Sequence, residues 1–84
     1  MKRELVISSD DLGMTLSVNR GIEAALRQKA LSSANFMVPC PWFEHAAEQH
    51  RNAGLDLGVH LTLTCEWDHY KWRPLTRGKS LLNA

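Results

Sequence analysis

The hydrophobic positions of this chain switch between two periods. Residues 4–9, led by Leu5-Val6-Ile7, predict a short apolar strand, bounded by the turn-forming run Ser8-Ser9-Asp10-Asp11-Leu12-Gly13. Over residues 17–29 the apolar positions Val18, Ile22, Ala25 and Leu26 follow i, i+4, i+7, i+8 spacing, which is one face of a helix. Ser17 or Thr15 is its N-cap, and Arg27 and Lys29 suit the negative end of its dipole. Residues 35–38 predict a second strand, stopped by Pro39, and residues 41–53 a second helix with Pro41 in its first turn and Gly54 at its stop. Residues 55–63 give the clearest strand: Leu55, Leu57, Val59, Leu61 and Leu63 alternate with Asp56, Gly58, His60 and Thr62. Beyond Cys65 lies an aromatic loop through Trp67, Tyr70 and Trp72, and residues 75–84 predict no firm element.

The order strand, helix, strand, helix, strand implies βαβ crossovers and a parallel sheet, hence an α/β fold. Three strands are too few to close a barrel, and the two uncovered sheet edges are a route to homo-oligomers. The chain has 84 residues, enough for one domain at most, and a domain of this size is marginal without staples. Ten Lys+Arg against nine Asp+Glu argue against the basic footprint of a nucleic-acid binder. No apolar run reaches the roughly 20 residues of a membrane span, and the N-terminal apolar run is too short for a signal peptide. Cys40 and Cys65 form no CxxC pair and no disulfide framework, so a reducing cytoplasm is expected.

Two features stand out chemically. Asp10-Asp11 directly follows the first strand, at the carboxyl end where βα proteins build sites. Adjacent residues point in different directions, so one carboxylate can bind a cation while its neighbour faces a water on that cation. A plain turn with a capping Asp is the commoner use of such a run. His60 lies on the non-aliphatic face of the third strand between Gly58 and Thr62, whose small side chains leave space for a ligand. The competing reading is a buried, hydrogen-bonded histidine. Asp11 and His60 gain weight together, because a carboxylate and an imidazole are a mixed donor set for a divalent metal. His45 and His50 lack i, i+4 spacing and are expected in solvent, and the two cysteines are expected to be inert. Trp67 and Trp72 are candidates to stack on sugar rings or to cover an open core edge.

The segments Val6-Ile7-Ser8-Ser9-Asp10-Asp11-Leu12-Gly13, Ser32-Ser33-Ala34-Asn35-Phe36-Met37-Val38 and Gly58-Val59-His60-Leu61-Thr62-Leu63-Thr64 together resemble the start of a YdjC-like carbohydrate deacetylase. Arg73-Pro74-Leu75 and Ser80-Leu81-Leu82 are similar to the stretch that follows. The resemblance implies that residues 1–84 are the N-terminal part of a single distorted (β/α) barrel domain, related to polysaccharide deacetylases and incomplete at this length. It implies removal of acetyl groups from N-acetylated sugars such as chitooligosaccharides. It implies Asp10 as general base, Asp11 and His60 as ligands of a divalent cation (Mg²⁺, with Zn²⁺ as the second option), and a third ligand beyond position 84. The 84-residue chain alone is therefore expected to be inactive. One departure concerns Gln28-Lys29-Ala30, where the family usually has Gly; a left-handed turn there would cost roughly 1 kcal/mol.

Non-catalytic modules are the alternative. A phosphoacceptor receiver needs an Asp at the end of strand three, where this chain has His60, and a dehalogenase-type nucleophile motif needs Asp where Leu12 stands. A self-associating α/β module is the third reading.

Overall fold

A computed structural model describes residues 1–81. Strands β1 (Ser8–Leu12), β2 (Ser33–Phe36) and β3 (Asp56–Val59) alternate with helices α1 (Leu16–Arg27) and α2 (Phe43–His50), and a short 3₁₀ turn spans Lys79–Leu81. The strands form one parallel sheet in the order β1-β2-β3. Leu12, Ala34, Ile22, Leu26 and Ala46 make a single core between this sheet and both helices, with Val18, Leu31, Phe36 and Leu57 packed around it. Burying a leucine as completely as Leu12 contributes about 1.5–3 kcal/mol. No helix among the described residues is long and apolar enough to cross a membrane.

The helix boundaries follow local chemistry. Thr15 caps α1, its Oγ1 accepting the Val18 N–H at 3.1 Å. At the other end Ala30 N donates to Ala25 O and Lys29 N to Leu26 O, with Lys29 at φ +59°. That is a Schellman closure with lysine in the left-handed position that glycine occupies without strain, so the cost anticipated for this departure is present. Helix α2 is shorter than the apolar pattern implied, with Pro41 outside it and Trp42 at its N-cap. It ends at Arg51, and Asn52 and Gly54 follow with positive φ.

The strands are displaced from their apolar runs. Leu5 and Val6 lie exposed, and pairing begins where Ile7 O accepts the Ser32 N–H at 2.7 Å. A strand forms where a partner runs alongside, and β2 begins only at Ser33, so the ladder covers Ser8–Leu12 instead, four polar residues and one leucine. Strand β2 is shifted likewise, to Ser33–Phe36 rather than 35–38. Strand β3 ends at Val59, just past which His60 N donates to Phe36 O at 2.8 Å, the last residue of its partner. Leu61 and Leu63 therefore continue the alternation in the open, 89% and 63% exposed.

The β1–β2 register contains the feature that matters for chemistry. Ser9 pairs with Ala34 but Leu12 pairs with Phe36, so Asp10 and Asp11 together oppose the single residue Asn35. This is a β-bulge, with its extra residue accommodated by Asp11 at φ +72°.

His50, expected in solvent, is buried, and its Nε2 has no protein hydrogen-bond partner among the described residues. Burial pushes its imidazole below the ordinary histidine range, His45 acting in the same direction and Glu23 against it. Its folded pKa thus lies below the unfolded value of about 6.5. Below that pH the unfolded chain takes up a proton that the folded chain refuses, so stability falls with acidification through this window. Urea midpoints at pH 7.5 and 5.5 should separate less in His50→Gln than in the native chain; an unchanged separation would refute this contribution.

Candidate active site

The site lies where β1 and β3 end. The bulge allows two consecutive carboxylates to reach the same side of the sheet, against the expectation that they would diverge. Asp10 Oδ1 accepts from Asn35 Nδ2 at 3.0 Å, and Asp11 Oδ1 stands 3.6 Å from His60 Nε2. Neither Asp caps a helix, because Thr15 does so. His60 lies off the aliphatic layer and half-buried, neither a core histidine nor a free surface one.

The orientation of His60 is informative. Its Nδ1 lies 2.8 Å from Leu61 O, a carbonyl that can only accept, so Nδ1 carries the proton. In the neutral ring Nε2 then presents a lone pair toward Asp11 Oδ1. Two electron-rich atoms so placed call for a proton or a cation between them. A backbone carbonyl on the far nitrogen is the usual orienting partner of a metal-binding histidine. Two donors bound at about 2.1 Å to one four-coordinate ion lie about 3.4 Å apart, close to the observed spacing. The donor set fits a divalent cation, although no group of three His, Cys, Asp or Glu side chains assembles among the described residues.

The turn after the acids is tightly held. Gly13 has φ +100°, and a Cβ there would meet Phe43 Cα at 3.0 Å. Its N–H donates to Asn19 Oδ1 at 2.7 Å, while Asn19 Nδ2 donates to Trp42 O and to His45 Nδ1, both at 3.1 Å. Asn19 is fully buried. The sequence held a signal for it: Asn19, Ile22 and Leu26 fall on the same buried stripe of α1, where a polar residue must have partners.

The aromatic loop docks onto this region. The Tyr70 hydroxyl donates to Met14 O at 2.5 Å, just past Gly13. The Trp72 indole N–H donates to Thr64 O at 3.0 Å, and its ring meets Tyr70 edge-on, so Trp72 serves the loop's own packing. Trp67 is exposed and remains a candidate platform. Cys40 is buried, with its thiol pushed up to about 11 by burial and by the nearby Cys65, Asp11 and Glu66, which accords with an inert thiol.

Known proteins carry related sequences. The chain is 40% identical over 80 residues to the carbohydrate deacetylase of Thermus thermophilus, covering 95% of this chain and 26% of that protein. It is 38% identical over 81 residues to carbohydrate deacetylase 2 of Listeria innocua, covering 95% of this chain and 30% of that protein. It is 37% identical over 65 residues to the chitooligosaccharide deacetylase of Escherichia fergusonii, covering 76% and 26% respectively. The chain thus spans between a quarter and a third of the length of these relatives. The sequence model described as YdjC-like protein matches residues 4–84, a span that contains the acidic bulge, Asn35 and His60, and the chain belongs to the YdjC-like family.

Proposed function

We propose that this chain supplies the cation-holding and base-bearing part of a deacetylation site acting on N-acetylated sugars, within a (β/α) barrel of which β1–β3 are the opening strands. The observation that carries the reading is the division of labour between two adjacent acids: Asp11 faces His60, while Asp10 is held separately on Asn35. The names of the relatives, carbohydrate and chitooligosaccharide deacetylases, supply the substrate class.

In this reading Asp11 and His60 hold a divalent cation, Mg²⁺ or Zn²⁺, joined by a further ligand from outside the described residues. The cation, when bound, supplies Lewis-acid polarisation of the amide carbonyl. Asp10 takes a proton from the attacking water through the oxygen that Asn35 leaves free. Water adds to the carbonyl carbon, the proton that Asp10 removed passes to the nitrogen as the C–N bond of the tetrahedral intermediate breaks, and amine and acetate result. The exposed Trp67 offers an apolar ring face to a sugar.

Titrating the chain with Mn²⁺ and following water-proton relaxation tests the assignment. A saturable single site is expected, weakened more than about tenfold in His60→Ala and left nearly unchanged in Asp10→Asn. Wild-type affinity in His60→Ala would refute the ligand pair. Because only two ligands assemble among the described residues, the chain alone should release no acetate from diacetylchitobiose with Mg²⁺ or Zn²⁺. Robust release would show that the site is already complete.

A further inference from the structure

We infer that Asn35 is a positioning residue for Asp10, and that residue 58 is glycine because the Asn35 amide occupies the space a side chain would need. The inference rests on the reading of Asp10 as the base. The two hydrogens of Asn35 Nδ2 are directed at Ser8 Oγ, 3.2 Å away, and at Asp10 Oδ1, 3.0 Å away. An ionised carboxylate only accepts, so the amide must present its nitrogen to Asp10 and its oxygen to the opposite side. On that side lies β3, where Asn35 pairs in register with Gly58. A Cβ on Gly58 would overlap Asn35 Oδ1 well inside van der Waals contact.

A single register row therefore runs across the sheet from Asp10 through Asn35 to Gly58. Asparagine and glycine are both poor strand formers, and a sheet of three short strands gains nothing in stability from placing them side by side. Their pairing makes sense as support for the carboxylate. The bulge brings Asp10 opposite Asn35, and the amide fixes one carboxylate oxygen. Serine or threonine at position 35 would be too short to reach Asp10 and Ser8 together.

NMR on the isotope-labelled chain reads this directly through the Asp10 side-chain couplings, which separate one fixed rotamer from an averaged set. In the native chain Asp10 should occupy one rotamer. Asn35→Ala should give averaged couplings, and Gly58→Ala should do the same by displacing the amide. The double variant should add nothing to either single change, whereas Ser8→Ala should leave Asp10 fixed. An averaged Asp10 in the native chain, or a fixed one in folded Asn35→Ala or Gly58→Ala, would overturn the inference. Should Asn35→Ala fail to fold, Gly58→Ala and the native couplings still decide the matter. The measurement needs neither metal nor turnover. A fixed Asp10 in a chain that binds no Mn²⁺ would sustain the positioning while refuting the site proposed above.

Discussion

Asn19→Leu is expected to remove a large fraction of the stability of the chain, by about 2–4 kcal/mol. Leucine keeps the branched shape and the number of side-chain heavy atoms, but the buried Gly13 N–H loses its acceptor, and Trp42 O and His45 Nδ1 lose their donor. An unsatisfied buried group costs about 1–3 kcal/mol, and the partners nearer the surface cost less because water can replace Asn19. Against a total of roughly 4–12 kcal/mol for a domain of this size, the loss is severe. Asn19→Asp should also destabilise, since it keeps the acceptor for Gly13 but sets a buried carboxylate oxygen against Trp42 O. Urea denaturation of the three proteins gives the comparison directly, and a leucine variant with the native midpoint would show that the Asn19 bonds add nothing net. Damage should concentrate in the β1–α1 turn, because Asn19 ties that turn to the start of α2.

Asp11→Gly should separate binding from folding. At φ +72° an aspartate carries about 1 kcal/mol of backbone cost that glycine does not. The substitution should therefore leave the thermal midpoint unchanged or raise it, while Mn²⁺ binding falls more than about tenfold through loss of the carboxylate facing His60. Strain retained at a charged residue, where a cheaper residue exists, is the pattern of a position kept for its chemistry. A glycine variant that binds Mn²⁺ normally would remove Asp11 from the ligand set. One that unfolds would show that its side chain supports the turn.

Much of the layout was legible in the sequence. Helix α1 was readable because Val18, Ile22 and Leu26 repeat at helical spacing and Thr15 provides a local cap. The alternation through Leu57, Gly58 and His60 correctly assigned Leu57 to the core side and His60 to the other. What failed was whatever depends on a distant partner. The apolar run Leu5-Val6-Ile7 looked more strand-like than Ser8–Leu12, yet the ladder follows the position of β2. The bulge is a mismatch in offset between two segments far apart in the chain, and no local pattern records it. Asn35 and Gly58 were each visible, one as a strand residue and one as space beside His60, but their contact depends on strand register. The burial of His50 is not legible either, because histidine spacing on one helix says nothing of what packs against that helix.

The two-against-one match at Asn35 has a genetic corollary. Losing a single codon at position 10 or 11 would bring the flanking segments into uniform offset, giving a tidier ladder in a protein stripped of half its acidic equipment. Such a deletion would thus escape quality control that reads only folding, and would surface solely as lost chemistry.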